Sequence, residues 1–200
     1  GECEIRITAR AETKEQALAM CDPVVEQVRA ILGDAVYGVD VGSLEEVVVR
    51  GLKEQGKTIA FAESCTGGLL AKRITDISGA SEVFGYGCVT YWNEAKMQVL
   101  GVKPETIERY TEVSEQCALE MARGVRALSG ASVGVSTTGY AGPTGGTEEH
   151  PVGTVFIGLS WEGGETVFCP ERRPTRSREQ VRRAAANHAF DLVRRTVLNL

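Results

Sequence analysis

The stretch TIAFAESCTGGLLAKRITD, residues 58–76, runs from an apolar segment into a short polar turn and back into an apolar pattern. Residues 58–62 have the composition of a buried strand, and residues 69–76 that of the following helix. The polar turn between them holds a glutamate, a serine, a cysteine, a threonine and two glycines. A strand that leads through such a turn into a helix predicts an α/β fold, with main-chain N–H groups presented at the start of the helix.

The pattern continues outward from this stretch in both directions. Thr13 and Gln16 form a capping-box signature for a helix over 14–32, which Pro23 kinks or restarts and Gly33 ends. Ser43 with Glu46 repeats the signature. Further helices are predicted over 93–100, 114–128 and 175–198, and strands over 3–8, 86–92, 131–139, 154–161 and 165–170. This alternation predicts a three-layer α/β/α sandwich with a mixed sheet and one hairpin, preceded by a small α+β segment.

Composition limits the classes of function. The chain has 200 residues, a formal net charge of −5 and a pI of about 5.3, which does not favour nucleic-acid or anionic-membrane binding. No apolar run has the length of a membrane span, and no signal peptide opens the chain. The six cysteines are scattered without a C-x-x-C pair, and there are only two histidines. A cytoplasmic protein without a metal site, disulfide framework or cofactor is predicted.

The polar turn has a functional and a structural interpretation. In the functional interpretation, the Ser64 hydroxyl is a nucleophile, and the neighbouring N–H groups stabilise the oxyanion that its attack creates. Alternatively, Ser64 or Thr66 caps the next helix, while Gly67 and Gly68 form a tight turn. Cys65 is a third candidate, either as a nucleophile or as a small core residue. The turn alone leaves these alternatives open.

A serine nucleophile needs a base, and histidine is scarce. The segment VTYWNEAK, residues 89–96, places Tyr91 at the end of a strand and Lys96 about one helical turn further on. Lysine acts as a base only when burial or neighbouring charge lowers its pKa toward neutrality. A solvent-facing lysine on a surface helix is the ordinary alternative.

Two further regions are candidates for ligand binding. The segment STTGYAGPTGGTEEHPVGT, residues 136–154, contains five glycines and two prolines between two strands, and connections of this length are often functional. An arginine-rich run follows, in which Arg178 and Arg182 lie one turn apart near a helix start and suit a phosphate. A solvated face with ion pairs is the alternative for this run.

Together, AESCTGG, VTYWNEAK and STTGYAGPTGGTEEHPVGTVFIG closely resemble the C-terminal domain of the competence/damage-inducible CinA family, which is known as a nicotinamide mononucleotide amidohydrolase family. The resemblance covers residues 43–200. Residues 1–42 resemble the end of the family's KH-type linking region, and a strand starting at residue 3 indicates a piece of a longer protein. The family's separate N-terminal pyrophosphatase-type domain has no counterpart in this sequence.

The resemblance implies hydrolysis of the carboxamide of nicotinamide mononucleotide to nicotinate mononucleotide and ammonia, without a metal. It places the catalytic residues at Ser64, Tyr91, Lys96 and Thr138, with Lys96 withdrawing the serine proton directly or through the phenol. It also implies substrate-binding residues: Thr66, Gly67, Gly68, Gly139, Gly142 and Arg178. The 5′-phosphate is expected at Arg178 or at the helix start near 66–68.

Two positions depart from the family pattern. Trp92 stands where the family usually has serine, and Tyr140 where it has isoleucine. Both lie beside the expected site, so they bear on substrate fit. A pocket blocked by Trp92 would favour the alternative of a nucleotide sensor or partner-binding module in competence or damage response. A homo-oligomer, most simply a dimer, is also expected from the resemblance, with no membrane or direct nucleic-acid partner.

Overall fold

The computed structural model describes residues 2–200. The chain divides into two compact units, Gly1–Val41 and Gly42–Leu200. The first unit contains the helix α1, Lys14–Leu32, which begins at Thr13 with the predicted capping box and runs through Pro23 without interruption. A single 3-10 turn, Gly33–Ala35, follows it.

The predicted strand over residues 3–8 does not form. Residues 2–13 contain no strand, and Ile5 is exposed. The alternation of apolar and polar residues is present, but a strand needs a second strand to receive its N–H and C=O groups. Residues 2–41 supply none, so the periodicity alone gave a wrong prediction.

The second unit is built on one five-stranded sheet. Its strands are β1 Ile59–Glu63, β2 Phe84–Val89, β3 Val133–Gly139, β4 Val155–Trp161 and β5 Gly164–Phe168. They lie in the order β2-β1-β3-β4-β5, with β2, β1 and β3 parallel and the β4–β5 hairpin antiparallel. The predicted mixed sheet is confirmed. Because β2, β1 and β3 are parallel, their carboxyl ends meet at one edge of the sheet.

Helices cover both faces of this sheet. They are α2 Leu44–Glu54, α3 Leu69–Thr75, α4 Asn93–Leu100, α5 Pro104–Tyr110, α6 Glu115–Ser129 and α7 Arg178–Val193, followed by a π-helical turn, Arg194–Leu198. The sequence patterns missed α5, although Pro104 at its first turn is a recognised start signal. The three-layer α/β/α sandwich is confirmed.

Alternate residues of β1 define the two faces. Ala60 and Ala62 pack with Leu100 of α4 and with Cys117, Met121 and Val125 of α6. On the other face, Phe61 meets Phe190 of α7 edge to face, with ring centroids 5.9 Å apart. Gly134 of β3 lets α6 approach closely, because a Cβ there would collide with the Ala122 carbonyl oxygen. The fold therefore fixes which side chains face α4 and α6 at the strand ends.

The structure ends β2 at Val89, three residues earlier than predicted. Tyr91 and Trp92 consequently lie in the connection to α4 rather than in a strand. Within residues 2–200, no helix combines the length and apolar character needed to cross a bilayer.

Candidate active site

Ser64 lies directly after β1, at the edge where the parallel strands end. Its N–H group donates to the Thr137 carbonyl at 2.9 Å, which extends the ladder with β3 by one residue. Ser64 is buried, with 8% of its surface exposed. In the described part of the chain its hydroxyl has no hydrogen-bond partner, so it does not cap α3. The helix-cap interpretation of Ser64 is therefore wrong.

The turn after Ser64 requires its glycines. Gly67 and Gly68 have φ values of +58° and +91°, in the left-handed region that favours glycine. The Gly67 N–H donates to the Ser64 carbonyl at 3.0 Å. The amides of Thr66 and Gly68 have no hydrogen-bond partner among residues 2–200. These two N–H groups are the candidates to bind an oxyanion formed at Ser64.

The side chain of Glu63, the last residue of β1, caps the start of α3, a role that the sequence did not predict. Its buried carboxylate accepts the N–H groups of Leu70 at 3.0 Å and Ala71 at 2.9 Å. A carboxylate at a helix N-terminus is favourable, and this one takes the Leu70 and Ala71 donors but not the amides of Thr66 and Gly68. The expectation that the helix start near 66–68 receives the 5′-phosphate therefore stays a prediction.

Lys96 is fully buried on α4, with no exposed surface. Its Nζ donates to the carbonyl oxygens of Thr90 at 3.0 Å and Tyr91 at 3.1 Å. Burial lowers the pKa of the Lys96 ammonium below the ordinary value of 10.5, against smaller opposing effects from groups that include Glu112. The surface-lysine interpretation is wrong, and the side chain has the low-dielectric surroundings that a lysine base needs.

The phenol of Tyr91 is hydrogen-bonded to Arg178 rather than to Ser64 or Lys96. Its side chain is 52% exposed, and its hydroxyl accepts a hydrogen bond from Nη2 of Arg178 at 2.9 Å. Nη1 of the same arginine donates to the Gly142 carbonyl at 2.8 Å. Three predicted residues, Tyr91, Gly142 and Arg178, thus lie together. The Tyr91 hydroxyl is not hydrogen-bonded to Ser64 or to Lys96.

The remaining predicted residues hold the neighbouring strand end in place. The buried Thr138 hydroxyl donates to the Glu112 carbonyl at 2.6 Å, and the hydroxyls of Thr66 and Thr137 lie 2.7 Å apart. Gly139 stands too close to the backbone of β4 for any Cβ. These contacts are structural, and direct roles of Thr66, Thr138 and Gly139 toward a substrate stay predictions.

The two residues that depart from the family pattern have different surroundings: Trp92 is exposed to solvent, and Tyr140 lies beside Glu112. Trp92 is 75% exposed, so it does not fill the space beside Ser64. The Tyr140 hydroxyl lies 3.4 Å from a carboxylate oxygen of Glu112, and burial together with that charge raises the Tyr140 pKa. Blocking of a pocket by Trp92 therefore does not support the alternative of a non-catalytic module.

The buried thiol next to Ser64 is not an activated nucleophile. Burial raises the pKa of Cys65 to about 12, so the thiol stays protonated at neutral pH. No group of three or more His, Cys, Asp or Glu side chains within residues 2–200 could hold a metal ion. Two surface depressions, of about 360 Å³ beside Arg126 and about 270 Å³ beside Tyr110, are lined by none of the predicted residues.

Fold and site together define an α/β domain with a buried serine and a buried lysine at the carboxyl edge of its parallel strands. The model of the CinA C-terminal domain matches residues 41–197, and the model of the damage-inducible protein CinA KH domain matches residues 1–38. The chain therefore belongs to the CinA family.

Relatives and solved structures agree with this membership. A CinA-like protein of Desulfovibrio desulfuricans is 53% identical over the whole of this chain, and one of Kosmotoga olearia is 48% identical. The chain spans about half the length of these relatives, 47% and 48%. The crystal structure of a competence/damage inducible protein from Agrobacterium tumefaciens superposes with a TM-score of 0.74 at 36% identity, covering 82% of this chain and 99% of that one.

Proposed function

We propose that the second unit hydrolyses the carboxamide of nicotinamide mononucleotide to nicotinate mononucleotide and ammonia, in cytoplasmic pyridine-nucleotide salvage. The substrate rests on the resemblance described above. The observation that carries the reaction type is the fully buried Lys96, whose lowered pKa suits a base, at the edge of the sheet where Ser64 lies. A metal or cofactor has no part in this proposal.

The reaction proceeds in two halves. Neutral Lys96 takes the Ser64 proton as Oγ attacks the carboxamide carbon, and the Thr66 and Gly68 amides bind the oxyanion. The protonated lysine then returns its proton to the departing nitrogen, so that ammonia leaves and an ester on Ser64 remains. Water, deprotonated by the same lysine, attacks the ester and releases the acid and the free serine hydroxyl.

The two carbonyls that bind Lys96 explain how it stays oriented. They accept two of its N–H bonds, which leaves one tetrahedral direction on Nζ. That direction carries a proton in the ammonium and the lone pair in the neutral amine. A base held in this way presents its lone pair in a fixed direction.

The pH dependence of this reaction follows from the lysine. Because the neutral amine is the active form and burial lowers its pKa, kcat/KM is expected to rise with pH to a plateau. The midpoint should lie below 10.5, and activity should be lost as the pH falls below the midpoint. A pH–rate profile measures this. A profile that stays flat or rises toward acid pH would contradict a lysine base.

Arg178 is the proposed partner of the substrate phosphate. Replacing it with glutamine removes a bidentate, charged donor, so KM is expected to rise roughly 10-fold or more while kcat changes less. Steady-state kinetics measure the split. Arg183→Gln is the matched control on the same helix, because Arg183 makes only an exposed ion pair with Glu179. Equal effects of the two variants on KM would rule out the phosphate role.

Ammonia release tests the proposed function directly. The wild-type chain is incubated with nicotinamide mononucleotide in the presence of EDTA, with nicotinamide and glutamine as amides that lack the nucleotide. Release from the nucleotide supports the proposal. Release only from another amide would keep the reaction type and change the substrate.

A non-catalytic nucleotide sensor or partner-binding module is the second candidate. It is favoured by one observation, that the Ser64 hydroxyl is not hydrogen-bonded to Lys96 in this structure. Binding of the nucleotide in calorimetry without release of ammonia would select it. The expected homo-oligomer likewise remains a proposal, which sedimentation velocity can test.

A further inference from the structure

Thr90 continues β2 at the same edge as Ser64. Its N–H donates to the Glu63 carbonyl at 2.9 Å, just as Ser64 donates to Thr137, so both ladders extend one residue beyond the strands. The register pairs Glu63 with Val89 on one side and with Thr137 on the other. One step further, Thr90, Ser64 and Thr138 form a row across three neighbouring strands.

The row faces α4 and α6. Side chains alternate along a strand, so Thr90 continues the face of Cys88, which packs against the cluster that contains Ala62. Leu100 of α4 belongs to the same cluster, and Lys96 lies one turn before it on that helix. Lys96 therefore lies on the side of the sheet that the row faces.

The Thr90 hydroxyl is buried without a protein partner. Thr90 is 1% exposed, and its Oγ1 is the only buried side-chain nitrogen or oxygen in residues 2–200 without a hydrogen bond. Buried hydroxyls are nearly always paired, so such an exception calls for an explanation. Thr138, at the other end of the row, is satisfied by the Glu112 carbonyl.

Thr90 is also tied to the base through its main chain. Its carbonyl oxygen accepts one of the hydrogen bonds of Lys96 Nζ, at 3.0 Å. The hydroxyl and the carbonyl belong to one residue, and the neighbouring position in the row is Ser64. Thr90 thus neighbours the proposed nucleophile in the row and holds the proposed base through its carbonyl, while Ser64 and Lys96 share no hydrogen bond with each other.

We propose that Thr90 relays the proton between Ser64 and Lys96 once substrate binding brings its hydroxyl into the hydrogen bonds that it lacks in this structure. As Ser64 Oγ bonds to the carboxamide carbon, its proton passes to Thr90 Oγ1, and the Thr90 proton passes to the lone pair of Lys96 Nζ. Lys96 Nζ then returns a proton to Thr90 Oγ1, and the Thr90 proton passes to the amide nitrogen as the C–N bond breaks, so that ammonia leaves and the ester on Ser64 remains. This inference rests on the proposed function and gives Thr90 the role that the resemblance gave to Tyr91.

The test compares Thr90→Val with Thr90→Ser. Valine keeps the shape and removes the hydroxyl, so kcat is expected to fall about 10-fold or more with little change in KM. Serine keeps the hydroxyl and should retain most of the activity. Thr106→Val is the matched control, because Thr106 is a buried threonine whose hydroxyl donates to Glu120, away from the site. Its kcat should equal that of the wild type.

Stability and an activity-independent readout make the test decisive. Removal of an unpartnered hydroxyl should leave the Tm of Thr90→Val equal or higher, so a loss of kcat would not reflect unfolding. The rate at which a fluorophosphonate probe labels Ser64 should fall in the valine variant and recover in the serine variant. Unchanged kcat and labelling in Thr90→Val, or a loss of kcat in Tyr91→Phe alone, would overturn the relay.

The labelling also separates this inference from the proposed function. If the wild type releases no ammonia but labelling still depends on the Thr90 hydroxyl, the relay stands and the substrate assignment fails. If ammonia is released equally by wild type and Thr90→Val, the function stands and the relay fails.

Discussion

Ser64→Ala is expected to lower kcat for ammonia release by roughly 10⁴-fold, because it removes the atom that bonds to the carboxamide carbon. Binding should survive, since the amides of the turn and Arg178 are untouched. The fold should also survive, because the Ser64 hydroxyl makes no hydrogen bond within the protein. Single-turnover kinetics and calorimetry with nicotinamide mononucleotide measure the two effects separately.

Cys65→Ala is the matched control for this substitution. It also shortens a buried side chain in the same turn, but the Cys65 thiol has a pKa raised to about 12 and is no nucleophile. Activity should therefore be retained in Cys65→Ala. If Cys65→Ala loses activity and Ser64→Ala does not, the nucleophile has been assigned to the wrong residue.

Lys96→Met is expected to lower kcat by about 10³-fold, because it removes the proposed base, and the buried carboxylate beside the serine, Glu63, is held by the amides of α3. Methionine has a similar length, so the packing of α4 on the sheet is preserved. Since burial disfavours the charged ammonium, its replacement relieves a desolvation cost and offsets the two hydrogen bonds lost to Thr90 and Tyr91. Thermal unfolding should therefore show a Tm close to that of the wild type.

Lys72→Met provides the control for loss of a lysine charge. Lys72 is exposed and pairs with Asp76 on the surface of α3, so its kcat and Tm should hardly change. The double variant Ser64→Ala/Lys96→Met should be no slower than Ser64→Ala alone, because the two residues act in one step. Multiplicative losses in the double variant would show that they act independently.

The fold of the second unit was largely predictable, because its signals are local. Buried strands alternate with capped helices, and the order of β1, α3 and β3 follows from apolar runs bounded by small residues. The strand predicted over 3–8 was wrong for a nonlocal reason. Alternation describes a face, whereas a strand exists only where a second strand lies beside it.

The site was only partly predictable. The composition of the turn around Ser64 indicates a site. The sequence around Lys96, in contrast, is typical of a surface helix. Only the resemblance indicated that Lys96 is a base. Its burial depends on how α4 packs over Ala60 and Ala62, which no local pattern contains. The same holds for Tyr91, whose hydroxyl meets Arg178, a residue 87 positions away in the chain.

Two residues of the site were missed for different reasons. Glu63 reads as the polar end of a strand, and its capping of α3 appears only when the helix returns over it. Thr90 becomes notable through its register beside Ser64 and its unpartnered hydroxyl. The register that sets Thr90 beside Ser64 depends on distant segments, so sequence patterns could not place it. Glu63 contacts amides only seven and eight positions further along the chain, but those contacts depend on the path of the turn between them.

The central claim is that Ser64 forms a covalent ester with the substrate acid. Wild-type protein and Ser64→Ala are mixed with nicotinamide mononucleotide, quenched in acid within the first turnover, and examined by intact-mass and peptide mass spectrometry. The expected adduct has the mass of the substrate less ammonia and lies on Ser64 in the wild type only. Turnover to nicotinate mononucleotide with no such adduct, in a reaction that Ser64→Ala still carries out, would contradict the account.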